Sequence, residues 1–165
     1  MWSEPGRQVR WPGWTMAALF LGYGLGKAVF AAQGKLGFPG GPAVPAEEYE
    51  RYARDMMDVA TAQWLAASNG LLGAALFLAT VAAAGRRIPR VLMLGALTLA
   101  SAGVGAGMVV LIADGLVGFG VGWRWYHGLL GIAVLALLAA AFLSYVRATR
   151  RGTSPAPRRR WRVRA

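Results

Sequence analysis

The chain has no cysteine, a single histidine and only seven acidic residues among 165. The absence of cysteine excludes disulfides, thiol catalysis, Fe–S clusters and Cys-ligated zinc. The single histidine, His127, excludes bis-His haem ligation within one chain and argues against a His-based metal site. No pair of carboxylates lies deep in an apolar run, and no Ser-His-acid arrangement is recognisable. We therefore expect no cofactor, no metal and no catalytic residue.

In place of such motifs the chain has four long apolar runs, at residues 11–34, 59–84, 91–113 and 125–146. A hydrocarbon core about 30 Å thick requires roughly 20 predominantly apolar residues per helix. The second and third runs contain no charged side chain, while the first contains Lys27 and the fourth contains His127. The sequence predicts an all-α polytopic membrane protein with four transmembrane helices in an antiparallel bundle.

The remaining segments are short. Residues 1–146 form the predicted transmembrane domain, and the Arg- and Pro-rich residues 147–165 form a predicted disordered, basic, cytoplasmic tail. Glycine and proline are dense in residues 34–42, which predicts a loop. The short basic turn at residues 85–90 predicts that the second and third spans are antiparallel neighbours.

An amphipathic helix is predicted over residues 45–58, on the outer side. Tyr49, Tyr52 and Met56 recur at a spacing of three and four residues, and acidic side chains occupy the first turns. Because no helix breaker follows, we expect one helix that leads into the second span, with a bend near Asp58. Its aromatic side should rest on the outer membrane surface or on a partner protein.

The net charge of +11 is distributed unevenly. Thirteen of the 18 basic residues lie in the amino terminus, the 85–90 turn and the tail, and only four lie in the other connections. The positive-inside rule then places both termini in the cytoplasm. A cleaved signal peptide ending near residues 29–31 is the alternative. Lys27 would then lie awkwardly between the apolar region and the cleavage site.

Two Gly-x-x-x-Gly motifs, Gly22 with Gly26 and Gly103 with Gly107, predict flat faces where another helix can approach closely. The packing partner is either a helix of the same bundle or a second protomer. The first motif also resembles a nucleotide-binding loop, but no strand precedes it.

Lys27 is the strongest candidate for a functional residue. An ammonium at the bilayer centre costs roughly 2.5 to 3.5 kcal/mol, although a lysine about 10 Å below the surface can partly snorkel. A structural pairing and a transport or catalytic role are both open. In the second case an outward polar pocket would form from Lys27, Asp58, Gln63, Asn69, Asp114, Arg124 and His127.

The tail is a candidate lipid-binding segment. Arginines at the membrane surface attract anionic lipid by about 1 kcal/mol each, and nucleic acid is the less favoured ligand. The candidate lipid-binding residues are Arg158, Arg159, Arg160, Arg162 and Arg164.

The order Gly24-Leu-Gly26-Lys27 followed by Gly34-Lys35-Leu36-Gly37-Phe38-Pro39, together with the four spans, resembles the DoxX-like group of small bacterial membrane proteins. The resemblance covers about the first 45 residues, and the long acidic outer helix departs from the pattern. It implies an accessory subunit associated with membrane redox complexes and supplies no catalytic residues.

These features favour a non-enzymatic accessory or assembly subunit of the bacterial inner membrane. The lipid bilayer surrounds it, and a membrane protein partner or a second copy of the chain would bind it, with the acidic outer helix as the contact surface. The alternative is a small carrier or membrane enzyme with its pocket around Lys27. Sixteen arginines against two lysines suit a bacterium of high GC content.

Overall fold

The computed structural model describes residues 8–118 and 122–149, and within these ranges it contains helices and no strands. The helices are α1 (Trp11–Ala32), α2 (Ala46–Asp55), α3 (Val59–Val81), α4 (Arg90–Val117) and α5 (Trp125–Thr149), with a short 3-10 helix at Ala84–Arg87. Helices α1, α3, α4 and α5 are long and apolar enough to cross a membrane. The predicted all-α, four-span fold is therefore confirmed.

The four spans pack as two pairs. Helix α1 lies along α3, α4 lies along α5, and a contact between α1 and α5 joins the pairs. Helices α3 and α4 touch only slightly, although the short turn connects them. The second and third spans, which were predicted to be neighbours, therefore make only a small contact. Helix α4 lies at the edge of the bundle as a result.

The two ends of the bundle differ. The basic end comprises residues 8–10, the turn 82–90 and the last turn of α5, and the loop end comprises residues 33–58, 118 and 122–124. All four spans contribute to a buried core, with Met16, Phe77, Leu97 and Leu138 as one residue from each. Because Met16 is early in α1 and Phe77 late in α3, this part of the core lies toward the basic end.

Close contact between α1 and α3 depends on a pair of glycines that face each other. A Cβ at Gly70 would lie 2.6 Å from the Cα of Gly24, and a Cβ at Gly24 would lie 3.1 Å from the carbonyl oxygen of Ala67. Helices α4 and α5 approach in the same way, because a Cβ at Gly115 would lie 2.8 Å from the backbone nitrogen of Gly128. Small residues let helix backbones approach closely in lipid.

The glycines of the predicted motifs do not perform this packing. A Cβ at Gly22, Gly103 or Gly107 would have nothing within 4 Å. A Cβ at Gly26 would meet the ring of Phe38, which belongs to the loop. Neither predicted pair therefore makes a close contact between helices of this chain, and the alternative, packing against a second protomer, stays a prediction.

The outer helix is separate from the second span, contrary to the predicted single helix. Helix α2 ends at Asp55, and the chain leaves helical geometry at Met56, whose φ and ψ are −128° and −78°. The Asp58 side chain then accepts a hydrogen bond from the backbone N–H of Thr61 at 2.9 Å and caps α3. Aspartate favours such caps because its carboxylate satisfies an otherwise unpaired N–H. The N-cap at Asp58 therefore starts a new helix, although the apolar periodicity continues across this position.

Helix α4 is longer than predicted and runs through Val117. Gly118 ends it in the left-handed conformation, with φ 79°, which glycine adopts without strain. Asp114 consequently belongs to the helix and not to the outer connection. The predicted disordered tail lies almost entirely outside the described residues.

Candidate functional site

The Lys27 ammonium donates a hydrogen bond to a loop carbonyl. Its Nζ lies 2.8 Å from the carbonyl oxygen of Gly37 and 5.8 Å from the centre of the Tyr23 ring. The side chain is partly buried. Within residues 8–118 and 122–149, the ion pairs are Arg51 with Glu48 and Arg54 with Asp55, so no acid pairs with Lys27 there. The hydrogen-bond acceptor of Lys27 is therefore a backbone carbonyl oxygen, whereas the sequence predicted a carboxylate.

Gln63 meets Lys27 at the same carbonyl. Its side chain is 2% exposed, and its Nε2 donates to the carbonyl oxygens of Lys35 at 2.8 Å and Gly37 at 2.9 Å. The buried amide of Gln63 therefore uses its N–H groups on two loop carbonyls, as a buried polar group must to avoid a desolvation cost. Lys27 from α1 and Gln63 from α3 together fix the backbone of the loop.

Aromatic contacts hold the same loop against α1. The Phe38 ring stacks on Tyr23, with ring centres 5.8 Å apart and an angle of 11° between planes. Gly26 provides the space, since a Cβ there would lie 2.6 Å from the Phe38 ring. At the other side, the Leu36 N–H donates to the Tyr49 hydroxyl at 3.0 Å. Loop residues 34–45 thus form a cap over the ends of α1 and α3, which we call the loop cap.

Asp114, Arg124 and His127 belong to a second cluster. Asp114 is 2% exposed, and its carboxylate accepts a hydrogen bond from the Trp123 N–H at 3.1 Å. The Arg124 N–H donates to Nδ1 of His127 at 3.2 Å. The imidazole ring lies 4.7 Å from the Trp123 ring and 4.2 Å from the Tyr126 ring. These contacts fix the chain where it enters α5.

The loop cap touches this second cluster through backbone and ring contacts. A Cβ at Gly41 would lie 3.1 Å from the Trp123 indole, and a Cβ at Gly122 would lie 3.5 Å from Pro42. The two outer connections therefore support each other across the loop end.

Two predicted pocket residues are surface residues in the structure. Asn69 is exposed on α3. Asp58 is fully exposed as the cap of α3, and hydrogen bonds from the Thr61 side chain and backbone hold the pKa of its carboxyl below the ordinary value. The seven predicted residues consequently divide into a Lys27–Gln63 site, an Asp114–Arg124–His127 site and two exposed residues. The single polar pocket stays a prediction.

One aromatic side chain of the outer helix makes a contact within the chain, while the predicted partner contact of this helix stays a prediction. Tyr49 points to the chain's own loop through its contact with Leu36, whereas Met56 is 67% exposed after the helix has ended. The charged side of α2 pairs Arg51 with Glu48 at 2.6 Å. One of the aromatic residues predicted to bind a partner is therefore used internally.

Sequence reasoning missed the acceptors of this site. The carbonyls of Lys35 and Gly37 carry no side-chain signal, and Phe38 was noted only as part of a motif. Among the described residues, no group of three or more His, Asp or Glu side chains could hold a metal ion. The candidate lipid-binding arginines of the tail lie outside the described residues.

The fold and these sites define a polytopic helical membrane protein with a structured cap at one end. No protein-family model, curated protein or solved structure matches the chain.

Proposed function

We propose that this protein is a non-enzymatic accessory or assembly subunit of the bacterial inner membrane that binds another membrane protein, or a second copy of itself, through α4. The observation that carries the proposal is the bare face of α4. Leu99 is 77% exposed, Val110 is 63% exposed, and a Cβ at Gly103 or Gly107 would meet nothing within 4 Å. A Gly-x-x-x-Gly face of this kind lets a partner backbone approach closely in lipid.

The polar site supports a structural role for Lys27. A carrier or enzyme built around Lys27 requires an acid beside the ammonium, whereas Lys27 donates to the carbonyl of Gly37, which Gln63 also holds. The resemblance of residues 24–39 to the DoxX-like group favours the same accessory role. We keep the carrier or enzyme as the alternative function.

The charge distribution supports an orientation with both termini in the cytoplasm. Thirteen of 18 basic residues lie in the amino terminus, the 85–90 turn and the tail. Reporter fusions at Glu48 and after Arg151 should therefore report opposite sides of the membrane. A periplasmic signal from the fusion after Arg151 would contradict this orientation.

The association through α4 is tested by the double substitution Gly103→Leu and Gly107→Leu. A Cβ at either position would meet nothing within 4 Å, so we expect the bundle to accommodate leucine there and to fold while the association is lost. The measurement is cross-linking in native membranes followed by native gel electrophoresis in mild detergent. Gly22→Leu is the matched control, because a Cβ at Gly22 also has nothing within 4 Å. An unchanged cross-linked species in the double variant would refute the proposal.

A further inference from the structure

Two arginines of the loop end, Arg51 and Arg54, form ion pairs, whereas the third, Arg124, is exposed and has no ion pair within the described residues. At the loop end, the Arg51 guanidinium lies 2.6 Å from Glu48 and the Arg54 guanidinium lies 3.1 Å from Asp55. At the basic end, Arg10, Arg87, Arg90 and Arg147 are all exposed. Within the described part of the chain, no carboxylate pairs with any of these four. We call them the basic rim.

Several contacts place members of the basic rim around the end of α5. The Arg90 Nε donates to the Thr149 hydroxyl at 3.1 Å, which joins the start of α4 to the end of α5. The Ser144 hydroxyl donates to the carbonyl oxygen of Val9 at 2.7 Å, so Arg10 follows directly after a residue bound to α5. Arg147 lies three residues beyond Ser144, on nearly the same side of the helix.

The positive charge of the rim is not balanced by the protein's own backbone. The carboxyl end of α5 carries a partial charge of about −0.5 from the helix dipole. That offsets only a fraction of the charge on three nearby guanidinium groups. The backbone therefore leaves most of the positive charge of the rim exposed to solvent, where an anion can bind.

The neighbouring side chains indicate where that anion lies. Trp11 follows Arg10 and is 59% exposed, and Trp14 is 54% exposed one turn later. Exposed tryptophan at the end of a transmembrane helix is typical of the headgroup level of a bilayer. Arginine side chains extend to this level and bind phosphate through two parallel N–H groups.

We propose that the basic rim is a binding surface for the phosphate headgroups of anionic phospholipids, with Arg10, Arg90 and Arg147 as its centre at the end of α5. This surface is distinct from the tail arginines and does not depend on the proposed association through α4. Arg90 both binds lipid and holds α4 to Thr149, whereas Arg10 and Arg147 donate no side-chain hydrogen bond within the described residues.

The test uses the full chain purified in detergent and titrated with phosphatidylglycerol or phosphatidylcholine, with bound lipids counted by native mass spectrometry. Wild type should retain phosphatidylglycerol in preference to phosphatidylcholine. The variant Arg10→Gln with Arg147→Gln leaves the bond from Arg90 to Thr149 intact. Its affinity for phosphatidylglycerol should fall about 30-fold, since each arginine at the surface contributes about a fivefold change.

The variant Arg51→Gln with Arg54→Gln is the matched control, because it removes the same charge at the loop end. Its lipid preference should equal that of wild type, and Arg10→Lys with Arg147→Lys should keep most of the preference. An equal loss in the loop-end variant would show that binding follows net charge, and the proposal would be wrong. It would also be wrong if Arg10→Gln with Arg147→Gln had no effect, or if removing Arg158, Arg159 and Arg160 alone abolished the preference.

Discussion

The contact between Gly24 and Gly70 predicts a large effect from the smallest side chain. In Gly70→Ala, the added Cβ would lie 2.6 Å from the Gly24 Cα and 2.7 Å from its nitrogen, whereas ordinary contact begins at 3.4 Å. Both opposing atoms are backbone, so no side chain can rotate away. Helices α1 and α3 must therefore separate by about 0.8 Å, the difference between 2.6 and 3.4 Å.

The energetic cost of this separation follows from packing. A radial gap of 0.5 to 1 Å loses about a quarter to a half of each dispersion contact along the interface, and overpacked cores are typically destabilised by about 1 to 3 kcal/mol. The higher helix propensity of alanine offsets up to about 1 kcal/mol of that loss. We expect Gly70→Ala to lower the free energy of unfolding by about 1 to 2 kcal/mol.

The measurement is equilibrium unfolding in mixed micelles of dodecyl maltoside and SDS, followed by tryptophan fluorescence. Gly103→Ala is the control, because its Cβ would meet nothing within 4 Å. That variant should be as stable as wild type or more stable by up to about 1 kcal/mol. If Gly70→Ala were as stable as wild type, α1 and α3 would not be in the contact described, and the reasoning from Gly24 would fail.

Two further predictions concern the loop end. Lys27→Met should change the free energy of unfolding by less than about 1 kcal/mol, because losing a charged hydrogen bond and removing a desolvated ammonium offset each other. Amide exchange in residues 36–41 should nevertheless accelerate about tenfold relative to the control Lys35→Met, and unchanged exchange would contradict the role of Lys27 in the loop cap. Asp58 should stop capping α3 in acid, because folding lowers the pKa of its carboxyl. The stability that the ionised carboxylate contributes is fully present above the unfolded pKa and is lost as the pH falls through the folded pKa. The protection factor of the Thr61 amide, which is the intrinsic exchange rate at a given pH divided by the observed rate, should therefore fall on acidification in wild type and stay constant in Asp58→Asn, which keeps the cap without titrating. Equal protection factors in the two proteins at every pH would show that Asp58 is not the cause.

The spans could be predicted because length and hydrophobicity are properties of each segment alone. Each run such as 59–84 is long, apolar and uncharged, and this suffices to indicate a membrane helix regardless of its neighbours. Boundaries were less accurate where a local signal competed with periodicity. Asp58 is an N-cap residue within an otherwise helical pattern, and its preference for extended geometry ended the outer helix early.

Which residues meet across the bundle could not be predicted in the same way. Gly22, Gly24 and Gly26 all occur within five positions, and only the rotation of α1 against α3 selects Gly24 for the close contact. The rotation of one helix against another cannot be predicted from the spacing of glycines in the sequence. The same limit applies to Lys27, whose acceptor is a backbone carbonyl of Gly37 brought back by the loop.

The contacts of Lys27 also show how a charge within a membrane span can be compensated. A lysine in a span is a candidate functional residue because its desolvation must be compensated, yet the compensation here comes from the loop that follows the same helix. Gly37 lies ten residues after Lys27, and its left-handed φ of 108° belongs to a turn that glycine adopts easily. The charge therefore favours one loop conformation over others, since any conformation that withdraws the carbonyl leaves the ammonium uncompensated. On this argument the lysine has a structural role, which is to fix the conformation of the loop cap.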